Sequence, residues 1–310
     1  MKALAWLAAL LPLVASPVAA QTTGTLGVAA SVIEYRGFLS TGAVVVAPGL
    51  RYDSPTLSVA AQGGLTVFES GNEVVQGTLA GAWFVGTGRG VRMEFFGSAG
   101  ASRYASASAT AHLLGGGRLH VFGERAGGWI GGSAGGTVTA GGDLPVEITV
   151  AGWTVVGGLS LVGTATATRA PNRDGYADFV MAARWARPWL EVEARAGARA
   201  GSLDVGREAA PRNGGYGEVA ALVPINRSIA LTLGAGRYPT DPVRNVLGAT
   251  YFNAGFQVRF AAPAVPRTAL YDPSRLRDRI VPEGSPTARL EITEAHGLRR
   301  IRIRAPGARS

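Results

Sequence analysis

The chain has 310 residues, 45 of them glycine and none cysteine, with 16% charged residues and a formal net charge of +9. The lack of cysteine excludes disulfides, thiolate zinc sites and thiol catalysis, and the charge content is low beside the roughly 25% of ordinary soluble domains. Lys2 is the sole lysine, so arginine carries the basic balance: ten arginines and five acids fall after Phe260, and the preceding region is nearly neutral.

The chain opens with a short positive start at Met1-Lys2, an uncharged apolar stretch from Ala3 to Val14, and Val18-Ala19-Ala20, an A-x-A-like cleavage site. This is the pattern of a cleaved secretory signal over residues 1–20, with Gln21 as the mature N-terminus. The apolar stretch is short for a membrane-spanning helix, and no later segment approaches the roughly 20 apolar residues such a helix needs. Export separates the chain from nucleic acid, and no recognition motif is present, so nucleic-acid binding is not supported.

From residue 24 to 260, turn signals mark out about fourteen strands. Their expected spans are 24–36, 40–52, 54–69, 73–86, 91–104, 106–122, 127–139, 144–156, 158–170, 175–187, 189–202, 213–223, 227–237 and 248–260. Soluble strands peak near five or six residues, whereas membrane strands need about 9–11. Twelve strands stay compatible with the pattern, because residues 97–142 are rich in Gly, Ala, Ser and Thr, and glycine weakens a strand signal. The even-numbered turns are short, as at Gly157-Gly158 and Arg187-Pro188, while Ser202 to Asn213 and Tyr238 to Leu247 are long. Bacterial barrels combine short periplasmic turns with longer external loops.

Several strands alternate strictly. In the fifth, Val91, Met93 and Phe95 oppose Arg92 and Glu94; in the tenth, Phe179, Met181 and Trp185 oppose Asp178 and Arg184. In the eleventh, Leu190, Val192, Ala194 and Ala196 oppose Glu191, Glu193, Arg195 and Arg199. In the last, Thr250, Phe252, Ala254, Phe256, Val258 and Phe260 oppose Tyr251, Asn253, Gly255, Gln257 and Arg259. Period-two alternation puts one apolar face against a protein core or against lipid. Strand length, low charge and uneven turns favour lipid. The expected fold is all-β: an antiparallel transmembrane barrel of about fourteen strands over residues 21–260, closed by the strand that ends at Phe260. Glu191, Glu193, Arg195, Arg199, Glu218, Gln257 and Arg259 are then the lumen-lining candidates, with opposite charges expected to pair across the lumen, since buried charge needs partners. Trp83, Trp129, Trp153, Trp185 and Trp189 lie near strand ends, where interfacial girdles form.

Little catalytic chemistry is legible. His112 and His120 share one parity of the sixth strand, with Ser98 and Ser102 on its neighbour. A serine–histidine nucleophile is conceivable there, but a structural, lumen-facing histidine is the reading taken. Metal-ligand spacing is absent, and the glycine runs lack the Lys-Ser/Thr of a phosphate loop. No catalytic residue, metal or cofactor is expected; the activity read is a passive pore or a structural scaffold.

Asn253, Gly255, Val258 and Phe260 stand at the defined positions of a segment that resembles the β-signal of bacterial outer-membrane proteins. The resemblance implies the outer membrane of a Gram-negative-type bacterium, outer-membrane lipid as surroundings and the barrel-assembly machinery as partner. That signal usually closes a protein, whereas here residues 261–287 follow as a Pro/Arg-rich linker expected to be periplasmic. In residues 288–310, Ile301 and Ile303 alternate with Arg300, Arg302 and Arg304 ahead of Ala305-Pro306-Gly307-Ala308. This resembles the opening strand of glycogen-binding (family 48 carbohydrate-binding) immunoglobulin-like modules, over about the last 20 residues. It implies a polysaccharide partner, and a barrel that anchors a periplasmic module whose sugar-stacking strands would come later. A soluble secreted β-sandwich is the third reading.

Overall fold

The computed structural model describes residues 21–35, 41–54, 56–86, 90–104, 109–123, 125–137, 144–169, 175–201, 204–205, 208–209, 213–239 and 248–260. The expected signal segment 1–20 and the segments 261–287 and 288–310 lie outside the described residues.

Among the described residues, sixteen strands follow in chain order. They are β1 (Gln21–Tyr35), β2 (Thr41–Asp53), β3 (Leu57–Phe68), β4 (Glu73–Val85), β5 (Val91–Tyr104), β6 (Thr110–Phe122), β7 (Ala126–Thr137), β8 (Val146–Val156), β9 (Leu159–Arg169), β10 (Tyr176–Arg187), β11 (Leu190–Gly201), β12 (Asp204–Val205), β13 (Glu208–Ala209), β14 (Asn213–Pro224), β15 (Ile229–Tyr238) and β16 (Ala249–Phe260). Fourteen of them form one closed antiparallel barrel, in which each strand pairs with its sequence neighbour and β1 pairs with β16. The two-residue strands β12 and β13 form a separate ladder between β11 and β14. One closed sheet replaces the two stacked sheets of a sandwich. The glycine-rich middle yields β5 to β8, so the count is fourteen and not twelve. The barrel strands run from 10 residues in β15 to 15 in β1.

Closure satisfies every backbone edge, which a strand surrounded by lipid requires. The seam runs from Gly24 opposite Phe260 to Tyr35 opposite Ala249. At one end of the barrel, connections of two to five residues join the strands, and β1 begins and β16 ends there. One of the two shortest is Gly157-Gly158, with φ of +58° and +87°. Two consecutive positive φ values define the type I′ hairpin turn, whose twist matches the flanking strands and which glycine enters without strain. At the other end the connections run from four residues, between β3 and β4, to eleven, between β11 and β14.

The two faces divide by parity. Outward positions include Val32, Val44, Leu79, Trp83, Ile130, Ile148, Phe179, Met181, Phe252, Phe256 and Phe260, each about half exposed. Outward charges stand at the rims: Glu34, Glu73, Arg103, Arg169 and Arg237 at the long-loop end, Arg187 at the short-turn end. Among the described residues no charged side chain lies on the outer face between those rims. An apolar belt of this kind is stable against hydrocarbon, not against water. Met181, near mid-height of β10 and 60% exposed, tests the belt. Met181→Arg is expected to cost about 2–4 kcal/mol of stability in lipid vesicles, as for arginine at a bilayer midplane. An unchanged urea midpoint in vesicles would contradict the outward, lipid-facing placement.

Candidate functional site

The inner wall is where chemistry collects. Alternation brings Arg51, Arg92, Arg118, Arg184, Arg195, Arg199 and Arg259 to the inner face, with Asp53, Glu94, Glu147, Asp178, Glu191, Glu193 and Glu218. Seven cations face seven carboxylates among the described residues, so the wall is close to neutral when His112 and His120 are uncharged.

The charges pair sideways, between adjacent strands. Arg199 donates to Asp178 through Nε at 2.9 Å and a terminal nitrogen at 2.6 Å. Arg184 lies 3.0 Å from Glu191 and 3.3 Å from Glu193. Arg195 is bonded to Glu218. Arg118 lies 3.6 Å and His120 Nε2 2.8 Å from the same oxygen of Glu94. Pairing across the lumen, the expectation from composition, is replaced by lateral pairing because the register sets these residues directly or diagonally opposite on hydrogen-bonded neighbours: Asp178 faces Arg199, Arg184 faces Glu193, and Arg195 faces Glu218. Side chains on directly paired positions have Cβ atoms about 5 Å apart, far closer than any diameter of a fourteen-strand barrel.

Glu191, Glu193, Arg195, Arg199, Glu218, Gln257 and Arg259 all stand on the inner face, with Glu193 and Gln257 essentially inaccessible. Arg259 donates to Gln257 at 3.2 Å. Asn253 and Gly255 also face inward, while Val258 and Phe260 face outward. Trp83, Trp185 and Trp189 lie on the outside near the short-turn end, with Trp185 and Trp189 edge to face at 5.7 Å.

Trp129 and Trp153 do not belong to an outer girdle. Trp129 is 5% exposed and faces inward beneath Arg118, whose guanidinium lies 4.5 Å from its ring and 4.4 Å from that of Phe96. Trp153 packs on the inward residues Val162 and Ala182. Glycine explains both. A Cβ at position 131 would meet Arg118 Cγ at 2.7 Å, one at 116 would meet Phe96 Cζ at 2.7 Å, and one at 127 would meet Trp153 Cζ2 at 2.7 Å. The glycines of β6 and β7 are therefore the floor on which large inward side chains lie flat. The same glycines remove the apolar/polar contrast around Trp129, where nearness to a strand end is the remaining guide and does not distinguish inside from outside; for Trp153 the alternation of Val146, Ile148 and Val150 with Glu147 and Thr149 along β8 is the available signal, and it points inward. The Phe96–Arg118–Trp129 stack was missed for the same reason; the shared parity of Arg118, His120 and Phe122 was the available signal.

His120 is committed to Glu94. The ring of His112 lies across Gly100, its cross-strand partner. Among the described residues, no group of three or more metal-ligating side chains could hold a metal ion.

These features define a closed antiparallel barrel, apolar outside and polar inside. No protein-family model matches the chain, and no curated protein matches it. Among solved structures it is similar to CdiB from Acinetobacter baumannii, at 11% identity and a TM-score of 0.42, over 77% of this chain and 60% of that one. It is also similar to a loop L8 deletion mutant of OmpT, an outer membrane protein of Vibrio cholerae, at 9% identity and a TM-score of 0.40, over 78% and 100%. A third similar structure is Salmonella typhi OmpF in complex with daunomycin, at 8% identity and a TM-score of 0.43, over 78% and 97%. The chain spans about three fifths of the length of the first. The barrel assignment rests on the strand pairing itself.

Proposed function

We propose that this barrel is a passive pore of a bacterial outer membrane, with the short-turn end periplasmic. The observation that carries the reading is the contrast between faces: a charge-free apolar belt outside, and an inner wall of arginine, carboxylate and hydroxyl groups inside. A scaffold would need the belt but not the polar wall. Fourteen strands lie between the roughly eight whose interior fills with side chains and the 16–18 that leave an aqueous channel. Of the inner-wall candidates, Arg195 and Arg259 keep some exposure and would line the path, with Glu191, Glu193, Arg199, Glu218 and Gln257 buried in the wall that holds them. The β16 segment from Asn253 to Phe260 would be the part read by the assembly machinery, and residues 261–310 would stay on the periplasmic side.

Planar-bilayer recording with purified, folded protein tests this. Discrete, voltage-independent conductance steps are expected, with weak ion selectivity because the wall charges balance. Arg195→Gln leaves Glu218 beside the path with one cation fewer, and the reversal potential in a salt gradient should move toward cation preference. Folded protein that gives no conductance would exclude an open pore. Conductance with an unmoved reversal potential would take Arg195 off the ion path.

A further inference from the structure

Between the two groups of ion pairs, β5–β6 on one side and β10–β14 on the other, lies a stretch of inner wall with a different composition. The inward positions of β8 and β9 carry a single charge, Glu147, which accepts a hydrogen bond from Ser133 at 3.0 Å. On β9 four of the five inward side chains are hydroxyls: Ser160, Thr164, Thr166 and Thr168. The Thr166 hydroxyl is bonded to that of Thr149 at 3.0 Å. Those of Thr164 and Thr168 have no hydrogen-bond partner among the described residues, although the residues are 6% and 2% exposed.

A buried hydroxyl without a partner costs about 1–3 kcal/mol, so native proteins complete such groups with water or a ligand. Each hydroxyl both donates and accepts. At the lower end of the row stands Trp153, directly opposite Val162 on β9, half-buried and with its ring laid across Gly127. The indole packs on Val162 and Ala182 of the inner wall. At about 6.7 Å per pair of residues, the line from Trp153 and Val162 through Thr164 and Thr166 to Thr168 rises about 20 Å along the wall.

We propose that this strip is a binding track for neutral polyhydroxyl solutes, of the sugar or sugar-alcohol class. The aromatic face takes the apolar ring face of a sugar, and the hydroxyl row exchanges hydrogen bonds with its hydroxyl groups. The near absence of charge sets the track apart from the ion-paired walls on either side, where a carbohydrate would have to compete with formed salt bridges. The proposal rests on the pore reading, of which it names the solute class.

The test uses the full chain, folded in detergent micelles and in planar bilayers, with maltotriose as probe. Saturable calorimetric binding is expected, with a dissociation constant on the order of 1 mM, together with reversible, sugar-dependent interruption of the ion current. The double variant Thr164→Val and Thr168→Val keeps the side-chain shape and removes the unpartnered hydroxyls. It should weaken binding at least about tenfold, with ion conductance unchanged. Trp153→Leu, on a different strand, should do the same and serves as the check if the threonine variant folds poorly. An ion-conducting wild type that binds no maltotriose at about 100 mM overturns the track and leaves the pore, because the hydroxyls are then served by water alone. Binding without ion conductance overturns the pore and leaves the track. Undiminished binding in both variants places the sugar elsewhere and overturns the assignment to this wall.

Discussion

Replacing Gly255 with valine is expected to prevent barrel closure. Gly255 faces inward on β16, opposite Ala29 of β1. A Cβ built there would collide with the Val28 carbonyl oxygen, and would lie 2.5 Å from Ala29 Cβ and 2.6 Å from Ala29 Cα. These are backbone atoms and a side-chain stub, not the tip of a flexible chain. Both strands are held by a ladder that runs the length of the seam, so neither can retreat without breaking pairs above and below. Overpacking of this kind costs about 1–3 kcal/mol where the surroundings yield, and more where they cannot. Gly255→Ala, whose added Cβ is the clashing atom, should show the upper part of that range or more, and Gly255→Val should fold poorly or not at all. The readout is the fraction of refolded protein that migrates as a compact, heat-modifiable band after refolding in detergent, where no assembly machinery is present. If Gly255→Val refolds to the same fraction with the same urea midpoint, the close approach at the seam is wrong. If Gly255→Ala refolds normally in detergent yet fails to reach the membrane in cells, the glycine acts through recognition by the assembly machinery rather than through packing.

The second large effect is expected at Arg199. Its guanidinium makes two parallel bonds to Asp178, and its plane lies 3.8 Å from the ring of Tyr176. Both members of the pair are about 5% exposed or less. Arg199→Leu would leave the Asp178 carboxylate buried without the cation that compensates it, and breaking a buried pair from one side costs about 3–5 kcal/mol. Replacing both partners removes the uncompensated charge, so the double variant Asp178→Leu with Arg199→Leu should recover most of the loss. Arg199→Lys should fall between, because a lysine cannot form the two-pronged contact or stack in the same way. Urea unfolding of the four proteins in one lipid composition measures this. Equal midpoints for Arg199→Leu and the parent would mean that lumen water, not Arg199, solvates Asp178.

Much of the architecture was legible in the sequence because a membrane barrel writes itself in period two. On β16 the apolar set from Thr250 to Phe260 and the polar set from Tyr251 to Arg259 separate completely, and the outer and inner faces follow without further information. The same holds for Glu191 to Arg199 on β11. Turn signals divided the chain into about fourteen strands, with twelve left open, and the alternation of short and long connections separated the two ends. Legibility failed where alternation failed. In β6 and β7 glycine occupies both faces, at Gly115, Gly116 and Gly117 and again from Gly127 to Gly136. Parity has no contrast there, so the inward facing of Trp129 is not legible; Trp153, on β8, shares the parity of Glu147 and Thr149, and its nearness to the strand end is a misleading guide beside that alternation.

Outside the glycine-rich β6 and β7, the sequence by itself determined the strands, their facing and the membrane-compatible outside, because these depend on local periodicity and on hydropathy summed along each strand. Tertiary structure alone decided which inner charges meet and what lies between them. Asp178 and Arg199 are 21 residues apart, and Glu94 and His120 are 26 apart; each pair forms only when two antiparallel strands adopt one register. Closure adds the remainder. The β1–β16 seam joins residues more than 200 positions apart, as in the 3.2 Å bond from the Ser31 hydroxyl to the Phe252 carbonyl. The strip on β8 and β9, with Glu147 its one inward charge, is set off by the charged walls that strand order places on either side of it. Local propensity carries no record of such neighbours, because they are brought together only by the shared requirement that every backbone edge in the membrane be paired.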